Sequence, residues 1–147
     1  MSVTQDNQLT NIAVEDVMIA SDKVAHVQVN NPLEHALLVL IKTGYSAVPV
    51  LDASYKLVGT IGMTSILNQI LGLERIEFEK LSDIRVDEVM NDDIPCLLKE
   101  DTFMKGMNAV INHPFVCVAD GDGYFDGILT RRAILKQLKR DMYTSKT

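Results

Sequence analysis

Two consecutive arginines, Arg131 and Arg132, directly follow Thr130 and open a run, Ala133 to about Met142, with helical periodicity. Cations in a first helical turn oppose the macrodipole, whereas the free amides at that end favour anions. A broken local rule of this kind points to function, here an anionic group such as phosphate whose charge would reverse the sign of the penalty. The competing reading is a solvated surface, since the same run continues with Lys136, Lys139 and Arg140. Those three stand late in the helix, where cations complement the dipole. Lys23, taken alone, reads as a solvent-facing loop lysine, and Tyr45 fits a pocket wall or the core equally well.

Other chemistries find less support. Cys96 and Cys117 lie in apolar surroundings and read as reduced core thiols. His26, His35 and His113 have no metal-ligand spacing with each other or with the cysteines, and read as structural or exposed. Asp120-Gly121-Asp122-Gly123 followed by Asp126 has the look of a calcium loop, but Phe125 occupies the required glycine position and Arg131 the bidentate glutamate position. The segment reads instead as a hairpin turn. No Ser/His/Asp triad, phosphate-binding loop or paired-carboxylate signature is present, so no enzyme is expected.

The net charge of −6 argues against nucleic-acid binding, which needs clustered cations. Trp is absent and only eight residues are Phe or Tyr, too few for a base-stacking platform. The longest apolar run, Ala36 to Ile41, is six residues, far short of the roughly 20 that span a bilayer. With no signal-like segment at Met1 to Asp6, a cytoplasmic protein without membrane contact is expected.

The elements that must position these residues come as an internal repeat. Val14-Glu15-Asp16-Val17-Met18 returns 72 residues later as Val86-Asp87-Glu88-Val89-Met90. A short extended stretch follows each, then a helix start at Asn31-Pro32-Leu33 or Asp101-Thr102-Phe103. Leu33, Leu37, Leu40 and Ile41 mark one apolar face before Gly44; Phe103, Met107, Val110 and Ile111 mark its counterpart before Asn112-His113-Pro114. Strand-like runs Ala47 to Asp52 and Phe115 to Asp120 come next, then Leu57 to Ile61 and Phe125 to Leu129. A final helix closes each half, Ser65 to Leu71 and Ala133 to Met142. The predicted fold is α/β, two β-α-β-β-α repeats packed face to face: residues 11–72, a short helical linker over 73–82, and residues 83–140.

This layout resembles a tandem pair of cystathionine β-synthase (CBS) domains, the Bateman module. The carriers are the two V-[ED]-[DE]-V-M starts, the segment Gly44-Tyr45-Ser46-Ala47-Val48-Pro49-Val50-Leu51-Asp52, and Gly127-Ile128-Leu129-Thr130-Arg131-Arg132-Ala133-Ile134-Leu135. The resemblance implies adenine-nucleotide binding in clefts between the repeats. One cleft would combine Lys23, Val24, Ala25, Tyr45, Ser46 and Ala47 with Thr130, Arg131 and Arg132; the other Asp93, Ile94, Pro95, Pro114 and Phe115 with Gly62, Met63, Thr64 and Ser65. The first set holds three cations and small residues with room for a purine. The second has Asp93 in place of Lys23 and bulky Phe115 in place of Ala47, so one competent site per chain is expected.

The acidic residue that holds a ribose in AMP- or ATP-binding members is replaced here by Ala133 and Ser65. A ligand whose ribose hydroxyls are engaged in phosphodiester links needs no such carboxylate, and cyclic di-AMP fits. The chain looks like the small stand-alone CBS pairs that act as cyclic di-AMP receptors in Gram-positive bacteria. That resemblance implies a homodimer and a regulated protein partner, with the (p)ppGpp synthetase of the stringent response the first to test. The alternatives are an AMP, ATP or S-adenosylmethionine sensor and a ligand-free structural adaptor.

Overall fold

The structure, a computed structural model, describes residues 9–145. In chain order the elements are α1 (Val14–Val17), β1 (Ile19–Ala20), a 3₁₀ turn (Ser21–Lys23), β2 (Val27–Gln28), α2 (Leu33–Thr43), β3 (Ala47–Leu51) and β4 (Leu57–Gly62). There follow α3 (Met63–Ile70), α4 (Lys80–Asp83), a second 3₁₀ turn (Val86–Glu88), β5 (Cys96–Leu97), α5 (Phe103–Ala109), β6 (Phe115–Ala119), β7 (Phe125–Thr130) and α6 (Arg131–Ser145). The chain divides into two compact units: residues 25–94, and the residues up to Val24 together with those from Pro95 onward.

The continuous unit is built on the sheet β2-β3-β4. Strand β2 runs parallel to β3, with Val27 opposite Val50, and β3 runs antiparallel to β4, with Val48 opposite Ile61. Helix α2 buries Leu33, Ala36 and Leu40, spaced to share one face, against Val27, Val48, Val50, Ile61 and the α3 residues Ile66 and Ile70. It stops where Gly44 takes φ +75° and returns its N–H to the Leu40 carbonyl, the left-handed end that glycine permits. Two details differ from the sequence reading. Pro32, not Asn31, occupies the cap position, because the Asn31 side chain accepts the Gln28 N–H at 2.8 Å; and Ile41 is exposed, one position past the buried stripe.

The discontinuous unit is built on the sheet β1-β7-β6-β5. Here β5 runs parallel to β6, β6 antiparallel to β7 with Val116 opposite Leu129, and β1 antiparallel to β7 with Ile19 opposite Ile128. Val14, Leu97, Phe103, Val110, Val116, Val118, Leu129 and Ile134 form its core. Thr102 caps α5 by accepting the Lys105 N–H at 3.1 Å.

The two start motifs are therefore exchanged. Val14 donates its N–H to Asp101 and Glu15 to Lys99, both in the second repeat, while Val86 donates to Asn31 and Asp87 to Val29 in the first. Asn91 and Thr60 exchange backbone bonds of 2.8 and 2.9 Å in the same way that β1 pairs with β7. Two equivalent glycines make this approach possible. A Cβ on Gly127 would lie 2.1 Å from the Ile19 carbonyl oxygen, and one on Gly59 2.6 Å from that of Asn91.

Residues 73–79 are not the helix expected of a linker; only Lys80–Asp83 is helical. The segment folds back on the end of α3 instead, through an antiparallel bridge between Leu71 and Ile76 and a bond from the Gly72 N–H to Arg75. Cys117 is buried as expected, but Cys96 is exposed, since β5 forms the edge of its sheet.

Candidate functional site

The predicted site residues are divided between the two units. In the continuous unit, parallel β2 and β3 begin, and antiparallel β4 ends, at the same end of the sheet. Ala25, Tyr45, Ser46 and Ala47 enter the sheet there, and α3 starts there. Ala47 is opposite Gly62, and the Ser46 carbonyl accepts the Met63 N–H at 2.9 Å. A Cβ on Gly62 would meet the Ser46 oxygen at 3.3 Å, so the closeness of this packing favours a residue without a side chain. Tyr45 is half exposed at 49%, which places it on the surface of this end and outside the core. Apart from Tyr45 and Met63, the residues at this end are small, and none is charged: Ala25, Ser46, Ala47, Gly62, Thr64 and Ser65.

The discontinuous unit repeats the arrangement with different chemistry. Phe115 is opposite Thr130, and the Pro114 carbonyl accepts the Arg131 N–H at 2.9 Å, the equivalent of the Ser46–Met63 bond. Thr130 caps α6 by accepting the Ala133 N–H on its Oγ1 at 3.0 Å. This end is bulky and cationic where the other is small and neutral.

The two arginines have separate fates. Arg131 turns back on α5: its Nε donates to the Val110 carbonyl at 3.0 Å and its Nη2 to that of Ile111 at 3.3 Å. Those oxygens lie at the C-terminal end of α5, where unpaired carbonyls attract a cation. Arg132 is exposed and has no hydrogen bond or ion pair among the described residues. The unfavourable placement seen in the sequence thus has an internal explanation for Arg131 and none for Arg132.

Lys23 and Val24 belong to the discontinuous unit, in and just after the turn packed on β7. Val24 is buried and Lys23 exposed without a partner among the described residues. Because β1 descends β7 from Ile128 to Gly127, this turn lies toward the start of β7, while Thr130, Arg131 and Arg132 stand at its end. Ala25, Tyr45, Ser46 and Ala47 lie in the other unit.

The remaining candidates resolve simply. Asp120 accepts the Asp122 and Tyr124 N–H groups at 2.9 Å each, and Gly123 takes φ +93°, so the acidic segment is a hairpin turn whose lead carboxylate is spent on its own backbone. Asp52 does the same for Ser54 and Lys56 in the other repeat, with Tyr55 at φ +70°. Among the described residues no group of three or more His, Cys, Asp or Glu could hold a metal ion, and no helix is long and apolar enough to cross a membrane. His26 packs edge-on against Tyr55 with ring centroids 5.4 Å apart.

Comparison with known proteins adds to this geometry. The CBS domain family model matches residues 14–72 and 86–140. The chain is 59% identical over 136 residues, 92% of each chain, to the cyclic di-AMP receptor B of Bacillus subtilis. It is similar to a CBS domain-containing protein of unknown function from Bacillus anthracis, with 58% identity and a TM-score of 0.86 over 92% of this chain and 98% of that one. It is also similar to the CbpB protein of Listeria monocytogenes solved in complex with c-di-AMP, at 50% identity and a TM-score of 0.82, covering 89% of this chain and 98% of that one. With two family matches in tandem and the duplicated sheet-and-helix architecture that they predict, the chain belongs to the CBS domain family as a Bateman-type pair.

Proposed function

We propose that the chain is a non-enzymatic receptor for cyclic di-AMP that regulates a partner protein according to ligand occupancy. The observation that carries this reading is the 59% identity to a cyclic di-AMP receptor along 92% of both chains. The site chemistry supports it. The proposed ligand residues are Lys23, Val24, Ala25, Tyr45, Ser46, Ala47, Thr130, Arg131 and Arg132. The cations supply charge for phosphates, and Ala25, Ser46 and Ala47 are small enough to leave room for purine. Ala133 and Ser65, standing where a ribose-binding carboxylate would be needed, favour a ligand whose ribose hydroxyls are already esterified. An Arg–phosphate contact of this kind contributes about 1.5–3 kcal/mol.

The output of such a receptor is a protein contact, and ligand shifts that contact only through different affinities for two states. We assign the receptor to the cytoplasm, as a homodimer, with the (p)ppGpp synthetase as the first partner to assay. Calorimetric titration with cyclic di-AMP beside AMP, ATP and S-adenosylmethionine tests the ligand. Micromolar or tighter binding of cyclic di-AMP alone, lost in Arg132→Met, is expected. Absence of heat, together with no thermal stabilisation where saturation at 100 times Kd would add about 2.7 kcal/mol, would abandon this ligand.

A further inference from the structure

Helix α6 is electrostatically unlike the rest of the chain. Its residues Arg131–Ser145 carry five of the 14 Lys and Arg side chains but a single one of the 20 Asp and Glu, Asp141. That carboxylate is buried, and its Oδ1 accepts from Gln137 of the same helix. Four basic residues elsewhere sit beside acidic ones: Arg75 with Glu79, Lys80 with Glu77, Arg85 with Asp87 and Lys105 with Asp101. Arg132, Lys136 and Lys139 are exposed and have no such partner among the described residues.

These three cations stand at i, i+4 and i+7, one stripe along the helix, where like charges repel rather than support one another. Leu135 lies among them and is 59% exposed. Together with Arg131 they line an open groove of about 440 Å³. An apolar side chain framed by unpaired cations combines an anchor with a charge pattern that selects an occupant of opposite sign.

We propose that this face of α6 is a docking surface for a carboxylate-rich helical segment of a partner protein. The occupant's acidic side chains pair with Lys136 and Lys139, and an apolar residue of the same segment covers Leu135. The helical spacing of the stripe matches a second helix laid along it, the anchor pattern of helix-in-groove recognition. The proposal rests on the reading of the chain as a regulator of a partner and names the chemistry of that partner's contact.

The test uses the full-length protein and a fluorescent helical peptide bearing glutamates at matching positions around one leucine, with a lysine-substituted peptide as its charge-swapped control. Saturable binding of the acidic peptide is expected by anisotropy, weakening as salt rises. Lys136→Glu with Lys139→Glu should weaken it at least about tenfold and should create binding of the lysine peptide. Leu135→Ala should weaken it several-fold at unchanged salt dependence. No saturable binding up to about 1 mM, or binding indifferent to the charge reversal, would overturn the proposal. So would preferential binding of anionic phosphatidylglycerol vesicles or RNA with the same dependence, or a change of oligomeric state in the reversed variant, which would give the face to a second copy of the chain. Titrating the unsubstituted protein with cyclic di-AMP separates the two readings. Nucleotide heat without peptide binding removes only the surface, and peptide binding without nucleotide heat removes only the ligand.

Discussion

Replacing Arg131 and Arg132 one at a time by methionine should split stability from ligand binding. Arg131 donates to two backbone carbonyls at the end of α5, at 3.0 and 3.3 Å. Charge-assisted bonds of this kind contribute about 1.5–3 kcal/mol each when buried, and in this exposed setting screening reduces the pair to about 1–2 kcal/mol. For a chain of this size that is a fall in Tm of about 3–8 °C. Arg132 is exposed and makes no hydrogen bond or ion pair among the described residues, so Arg132→Met should leave Tm within about 1 °C, the effect of an ordinary surface substitution. If Arg132 holds a phosphate, losing ~1.5–3 kcal/mol weakens the nucleotide roughly ten- to a hundredfold. Thermal denaturation and calorimetry on the same three preparations read both axes. A stable Arg131→Met that has lost the ligand, beside a destabilised Arg132→Met that has kept it, would refute the assignment.

Gly127→Ala should be severely destabilising, by about 3 kcal/mol or more, because the φ of +153° is costly for alanine and the new Cβ meets the Ile19 backbone; urea denaturation with a midpoint near that of the wild type would contradict the β1–β7 pairing. Thr102→Ala removes the α5 cap and should cost about 1 kcal/mol, while Thr102→Ser should restore most of it. Burial pushes the Cys117 thiol up to about 12, against 9.0 for an unperturbed thiol. The unfolded chain therefore loses that proton first, and stability due to this group, constant below pH 9, should fall by about 1.4 kcal/mol per pH unit from there toward pH 12. The difference between wild type and Cys117→Ala isolates that slope, and its absence would count against burial. In the native protein a disulfide reagent should modify Cys96 rapidly and Cys117 only on unfolding; two equally fast thiols would show that β6 is open to solvent.

Much of the architecture is legible because the chain states it twice. Gly44, the buried spacing of Leu33, Ala36 and Leu40, and the paired strand runs all act locally, so pattern and propensity report them. Which copy each start motif packs against is a long-range choice. Val14 and Val86 open nearly the same motif, and the exchanged pairing shows only in backbone bonds to the other repeat and in the close approach at Gly59 and Gly127. The arginine pair shows the same limit at the site. Dipole reasoning flags both residues, but the carbonyls that satisfy Arg131 come from Val110 and Ile111, about twenty residues away in the chain. Cys96 reads as a core thiol by composition, whereas its exposure follows from β5 being last in its sheet, a property of strand order.

The exchanged start motifs also set an order of assembly during synthesis. Every backbone partner within residues 25–94 leaves the ribosome in one continuous stretch, so that unit can close early. Ile19 must wait for Ile128, more than a hundred residues later, before β1 has a strand to join. The first-made segment is thus among the last to be seated, and the slow, non-local step falls at the end of translation. Cutting the chain between residues 72 and 86 would leave each fragment holding the strand or turn that the other lacks. Such halves complete one another only by association, so the chain folds as an obligate pair of repeats rather than as two modules on a string.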